Sequence, residues 1–189
     1  FNFRYERIER FMKRKEYDAQ VKKALRYFEE AHITLTADEK NRIEVADFGL
    51  GKIEKIGLQL LTYVNTDRVC AKEMVLLPYQ TCPEHRHVPT NSTEGKEETF
   101  RCRRGEVYLY VSGDSDSTNI VAKMPETTVT VFREIVLHAG DQYTIMPDTK
   151  HWFQAGKDGA VISEFSTHST DETDIFTDSN VVREVRIEE

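Results

Sequence analysis

The chain has 189 residues, 39 % of them apolar and 31 % charged, enough to bury one sizeable core without disulfide or metal staples. A formal net charge of −7 argues against a nucleic-acid partner, which needs a surplus of Lys and Arg on one face. Its 3 cysteines, Cys70, Cys82 and Cys102, show no C-x-x-C spacing, so neither a disulfide framework nor a zinc knuckle is indicated. No apolar run reaches the roughly 18 residues that span a bilayer, and the densely charged start lacks the apolar core of a secretory signal, so a cytoplasmic protein in a reducing compartment is expected.

In chain order, Lys13-Arg14-Lys15 and Lys22-Lys23 are interleaved with Glu16 and Asp18, a solvated helix face. Tyr17, Val21, Ala24, Leu25 and Phe28 recur at three- and four-residue steps and predict an amphipathic helix. Thr36-Ala-Asp-Glu39 offers a hydroxyl cap with an acid three positions on, predicting a second helix from about Ala37 to Ala46 that ends before Gly49 and Gly51. Residues 1–50 are therefore expected to be a helical segment packed on a β-barrel formed by residues 51–189, one domain in all.

From Leu58 the helical period fades. Short runs (Val75–Leu77, Glu106–Val111, Thr127–Phe132, Ile135–Leu137, Tyr143–Met146 and Val161–Phe165) are punctuated by Gly, Pro, Asn and Asp. Strands this closely spaced cannot be joined by crossover helices, so an all-β class with an antiparallel double-sheet roll or barrel is expected. Ser112 to Met124 reads as a long loop, and Val185 to Ile187 as a last edge strand.

His85-Arg-His87 places two imidazoles on one face if the stretch is extended, a weak signal by itself. Glu98 follows a polar loop and precedes Phe100, Cys102 and the turn residue Gly105. Later, Gly140 to Pro147 and then His151-Trp-Phe-Gln154 read as a turn, a strand, a tight turn and a His that opens another strand. The order H-x-H, E-x6-G, G…P…H resembles the two signature motifs of the cupin superfamily, which implies a double-stranded β-barrel (jelly roll) with His85, His87, Glu98 and His151 on one metal. The spacer between His87 and Glu98 is longer than usual in that superfamily, and Pro147-Asp-Thr-Lys-His151 lacks its usual Gly. Three imidazoles and a carboxylate suit Mn, Fe, Co, Ni or Zn better than Mg or Ca, and leave one or two coordination positions open.

The segments Cys82-Pro-Glu-His85-Arg-His87, Gly95-Lys-Glu-Glu98-Thr-Phe, His151-Trp-Phe-Gln-Ala-Gly156, Ser163-Glu-Phe-Ser-Thr167 and Asp171-Glu-Thr-Asp174-Ile-Phe are similar to the D-lyxose isomerase family from about Ile43 to Thr177. That resemblance implies interconversion of D-lyxose with D-xylulose and of D-mannose with D-fructose, normally with Mn²⁺ (Co²⁺, Fe²⁺, Ni²⁺ or Zn²⁺ being alternatives), in a homodimer. An enediol route needs an electrophile on the sugar oxygens and a base over the carbons. Glu164 is the candidate base. It shares a face with Ile162 and Ser166 while Val161, Ser163 and Phe165 share the other, so periodicity leaves its direction open and only the resemblance points it inward. Lys96 shares the face of Glu98 if the strand already begins there, where its ammonium can stabilise an enediolate. By resemblance, Asp174 binds sugar hydroxyls or assists the proton shuttle, and Lys72 is a candidate substrate contact. Two other classes compete: a cupin oxidase or dioxygenase with Fe(II) on the same ligands, and a non-catalytic sugar-binding module, whose sensor version is disfavoured by the lack of a DNA-binding helix pair.

Overall fold

The computed structural model describes residues 11–189; the first ten positions of the 1–50 segment lie outside them. The elements are β1 (Phe11–Lys13), α1 (Arg14–Glu30), α2 (Ala37–Asn41), β2 (Glu44–Ala46), β3 (Leu58–Asn65), β4 (Cys70–Leu76), β5 (Thr81–Arg86), β6 (Glu98–Val111), β7 (Arg133–His138), β8 (Gln142–Ile145), β9 (His151–Ser166), β10 (Ile175–Phe176) and β11 (Arg186–Glu188).

The fold is the double-stranded barrel that the motif order implies, and it is built on one long antiparallel pair. β6 and β9 run together from Glu98 opposite Ser166 to Val111 opposite His151. Beyond this pair, the first part of β6 bonds to β8 and its last part to β7. The last part of β9 bonds to β4, and its first residues to β5. One sheet thus reads β8-β6-β9-β4-β3-β2, the other β7-β6-β9-β5-β10, and the two long strands pass from one to the other. Strands change sheets through bulges, and the register slips twice here, between Cys102 and Arg104 and between Gly105 and Val107. Gly105 (φ +75°) and Gly159 (φ +72°) face each other at this corner. A Cβ on Gly105 would stand 2.0 Å from the Gly159 carbonyl oxygen, so the strands approach this closely only with no side chain at Gly105.

Leu60, Met74, Phe100, Leu109, Phe153 and Ile162 are among the residues that fill the space between the sheets. Helix α1 covers the outer face of the first sheet, where Ala24 and Phe28 pack on Val75 and Val161. Burying Phe28 contributes about 2–3 kcal/mol. On the second sheet the polar-looking connection after β6 does the same work: Ala122, Val129 and Val131 pack over Tyr110 and Trp152, whose rings stack at 4.1 Å.

Three expectations need correction. The Thr36 capping box forms, but α2 stops at Asn41, and Glu44–Ala46 pairs with β3 instead of finishing the helix. Ile43 and Val45 are buried around an exposed Glu44, the period of a strand. Thr127–Phe132 is not a strand; its Thr130 and Val131 amides donate to the carboxylate of fully buried Glu84, which also accepts from the Thr130 and Thr177 hydroxyls. Finally, the last strand does not join the barrel edge: β11 pairs in parallel with β1 in a two-stranded sheet.

Candidate metal site

His85 and His151 are direct cross-strand partners on β5 and β9, with ring centroids 4.3 Å apart. His87 lies just past the end of β5, its ring 4.9 Å from that of His85. Glu98 opens β6 in the other sheet. Along a straight 14-residue strand, Glu98 and the residue that pairs with His151 would stand about 43 Å apart. Glu98 Oε1 is instead 2.9 Å from His151 Nε2, because the corner at Gly105 and Gly159 folds the strand pair back on itself. The missing turn Gly is replaced by Asp148, which takes φ +58°, receives an ion pair from Arg86 at 2.8 Å and donates its amide to the His87 carbonyl. Short polar side chains are the non-glycine residues that tolerate this conformation.

The hydrogen bonds fix which nitrogens face inward. His85 Nδ1 lies 2.8 Å from the Pro83 carbonyl and His151 Nδ1 2.8 Å from that of Thr149; a carbonyl only accepts, so both Nδ1 atoms carry the proton and both Nε2 lone pairs are free. His87 Nδ1 donates in the same way to Asp174 Oδ1 at 2.6 Å. The donor atoms of His85, His87, Glu98 and His151 all lie within 4.8 Å of one another. His151 Nε2, buried, has no hydrogen-bond partner although a carboxylate oxygen is 2.9 Å away. Two electron-rich acceptors held face to face in a buried site call for a cation between them, and with two further imidazole nitrogens converging there this donor set fits a divalent transition metal. The charges agree. Burial, with His151 and His87 beside it, pushes the His85 imidazole well below its ordinary range and keeps it neutral. Burial opposes charge on Glu98 too, but Lys96 and His87 outweigh it and hold this carboxyl well below the usual range. Burial likewise lowers His87, yet Glu98 and Asp174 push it up to about 9, the same pull that favours a bound cation in place of that second proton.

All the other sequence-predicted residues reach the same cavity, which is lined by Lys72, Lys96, Glu164, Asp174 and an apolar wall that includes Phe48, Leu60, Phe100 and Phe176. Glu164, 4 % exposed, points inward with Ile162 and Ala160, so its direction is settled. Both faces of Val161–Phe165 looked mixed because α1 buries Val161 on the outer one while Phe165 on the same face is exposed. Lys96 Nζ lies 2.9 Å from Glu98 Oε2 and 2.9 Å from Glu164 Oε1. Burial alone would lower this ammonium; Glu164 and Glu98 lift it well above its ordinary value instead. Asp174 meets the cavity through His87, and its side chain is 6 % exposed. Lys72 Nζ sits 4.0 Å from Glu164 Oε1 and 2.9 Å from Asp171 Oδ2.

Two charged cavity residues escaped the sequence reading. Asp171 lies in a segment already singled out, but the cations around it, Lys72, Lys96 and Arg183, come from other parts of the chain. Arg183 is one of two arginines in the tail, and nothing local marks it as buried between Asp171 and Glu44.

Residues 28–189 match the profile of the D-lyxose isomerase family. Over 178 residues the chain is 57 % identical to the D-lyxose/D-mannose isomerase of Thermosediminibacter oceani, covering 93 % of this chain and 96 % of that one. Over 158 residues it is 58 % identical to the D-lyxose ketol-isomerase of Cohnella laeviribosi, covering 82 % and 87 %. Among solved structures, the L-ribose isomerase of Acinetobacter sp. DL28 in complex with L-ribose superposes with a TM-score of 0.72 over 95 % of this chain and 99 % of that one, at 16 % identity, a likeness of fold. No described helix is long and apolar enough to cross a membrane.

Proposed function

From the premise that this chain belongs to the D-lyxose isomerase family, we infer that it interconverts D-lyxose with D-xylulose, and D-mannose with D-fructose, by proton transfer through a cis-enediol. The observation that carries this reading is the convergence of three imidazole Nε2 atoms and one carboxylate beside a buried Glu164–Lys96 ion pair. His85, His87, Glu98 and His151 would hold the metal, with Mn²⁺ our choice for this mixed nitrogen and oxygen set. When bound, that ion supplies Lewis acidity toward the sugar oxygens.

The rest of the chemistry belongs to the chain. Glu164 takes the proton from C2 of the aldose and returns it to C1, the reverse steps running in the other direction. The Lys96 ammonium, fixed between Glu98 and Glu164, donates to the oxygen on which enediolate charge builds. Asp174 holds His87 in the tautomer a ligand needs and leaves a second carboxylate oxygen for the proton exchanged between O1 and O2. Lys72 contacts the sugar from the far side of Glu164. The apolar wall excludes water from the enediolate. We place the enzyme in the cytoplasm, as a homodimer.

The test is direct. Protein stripped with a chelator and reloaded with Mn²⁺, Co²⁺ or Fe²⁺ is incubated with D-lyxose and D-mannose and ketose is followed. Turnover restored by metal is expected; no ketose with any of the three ions would refute the assignment.

A further inference from the structure

Strand register gives Glu164 a partner that does not hydrogen-bond to it. Lys72 on β4 is directly opposite Glu164 on β9, both point into the barrel, and opposite charges at such a position ordinarily pair. Lys72 Nζ nevertheless stands 4.0 Å from Glu164 Oε1. Its hydrogen bonds go to Asp171, at 3.2 Å and 2.9 Å to the two carboxylate oxygens, and to Ser169 Oγ at 3.0 Å. Asp171 comes from the tail after β9 and is itself fixed, by the Ser169 hydroxyl at 2.7 Å and by Arg183 at 3.0 Å, with Arg183 anchored in turn on Glu44. Lys96 meanwhile holds Glu164 at 2.9 Å.

We propose that Asp171 is a positioning residue for the isomerisation: it draws Lys72 out of hydrogen-bonding range of its cross-strand partner, so that Glu164 is hydrogen-bonded by one ammonium, that of Lys96, and stays available to a substrate carbon. A carboxylate clamped by two ammonium groups has both oxygens engaged and a weakened affinity for a proton, and so loses the two properties a base needs, a free oxygen and a hold on the proton. Asp171 touches none of the four metal ligands, and nothing in this role requires it to touch the sugar. The inference rests on Glu164 being the base, and the closing experiment separates the two ideas.

Steady-state kinetics on the Mn²⁺-loaded enzyme with D-lyxose compare the parent, D171N, K72M, the double variant and E164Q. D171N is expected to lower kcat at least tenfold with KM changed less than threefold. Once Lys72 is gone Asp171 has nothing to divert, so D171N/K72M should match K72M in kcat to within threefold, a comparison that stands even if D171N alone fails to fold. A D171N penalty above tenfold that persists in the K72M background would overturn the proposal, because a purely structural or sugar-binding aspartate gives that result. Undiminished kcat in E164Q, by contrast, would remove the base assignment itself.

Discussion

The corner of the β6–β9 pair makes a quantitative prediction. Substituting Ala for Gly105 sets a Cβ 2.0 Å from the Gly159 carbonyl oxygen, 3.1 Å from its carbon and 3.3 Å from Ala160 Cα. Real Cβ contacts essentially never fall below 3.0 Å, so the two backbones must part by about 1 Å, and no flexible side-chain end is there to yield. Left-handed backbone at φ +75° adds about 1–2 kcal/mol for an L side chain, and forced separation about 1–3 kcal/mol, a loss of roughly 2–5 kcal/mol together. For a chain of this length that corresponds to a fall in Tm of roughly 4–20 °C. Gly51 is the matched control: its φ is +65° and nothing lies within 4 Å of a Cβ there, so G51A carries the backbone cost and the change in chain entropy without the clash. Both variants should be melted by circular dichroism in the presence of chelator, so that metal binding does not mask the difference. G105A should unfold well below G51A, and it should also release metal more readily, since this corner sets the position of Glu98 against His85 and His151. Equal stability of the two variants would falsify the account of how the barrel closes.

Three further outcomes are expected. E164Q should lose roughly 10²- to 10⁴-fold in kcat while its metal content by elemental analysis stays that of the parent, because Glu164 is not among the clustered ligands. D174N, which removes the carboxylate from His87 Nδ1, should weaken Mn²⁺ binding by roughly 10- to 100-fold in a competition titration; an unchanged affinity would show that Asp174 does not orient this ligand. Burial favours protonation of Asp171, but Lys72, Lys96 and Arg183 hold its carboxyl far below the ordinary 3.8. A depressed folded-state value gives stability that is complete above the unfolded-state pKa and is lost progressively as pH falls from there through the folded-state value. Denaturant titrations of the parent should therefore decline more steeply than those of D171N between about pH 5 and 3; parallel slopes would mean that the ion cluster contributes nothing to acid stability.

The four donors were legible because each carries a local signal: alternate histidines, a glutamate ahead of a strand, a histidine behind a Pro turn. Their meeting rests on the corner, which a sequence displays only as isolated glycines. The inward aim of Glu164 was hidden for a different reason, since α1 buries Val161 from outside and Glu73 and Arg103 engage Ser163, which erases the contrast on which alternation depends. Thr127–Phe132 has the composition of a strand, and what overrides it is the Glu84 carboxylate, a tertiary partner for its amides. Asp171 and Arg183 were illegible because chain separation conceals a cluster assembled by the tail folding back over the barrel mouth.

The Glu84 staple has a consequence for anyone who would reshape this scaffold. The excursion between β6 and β7 looks dispensable, yet its amides and the Thr177 hydroxyl are what neutralise a negative group one residue from His85. Trimming that excursion to a tight hairpin would strand an anion in a dry wall of the barrel and unfasten the tail beside it. Variation meant to widen the sugar range is therefore better placed on the Phe48 and Phe176 wall, where a change of volume leaves every buried charge still answered.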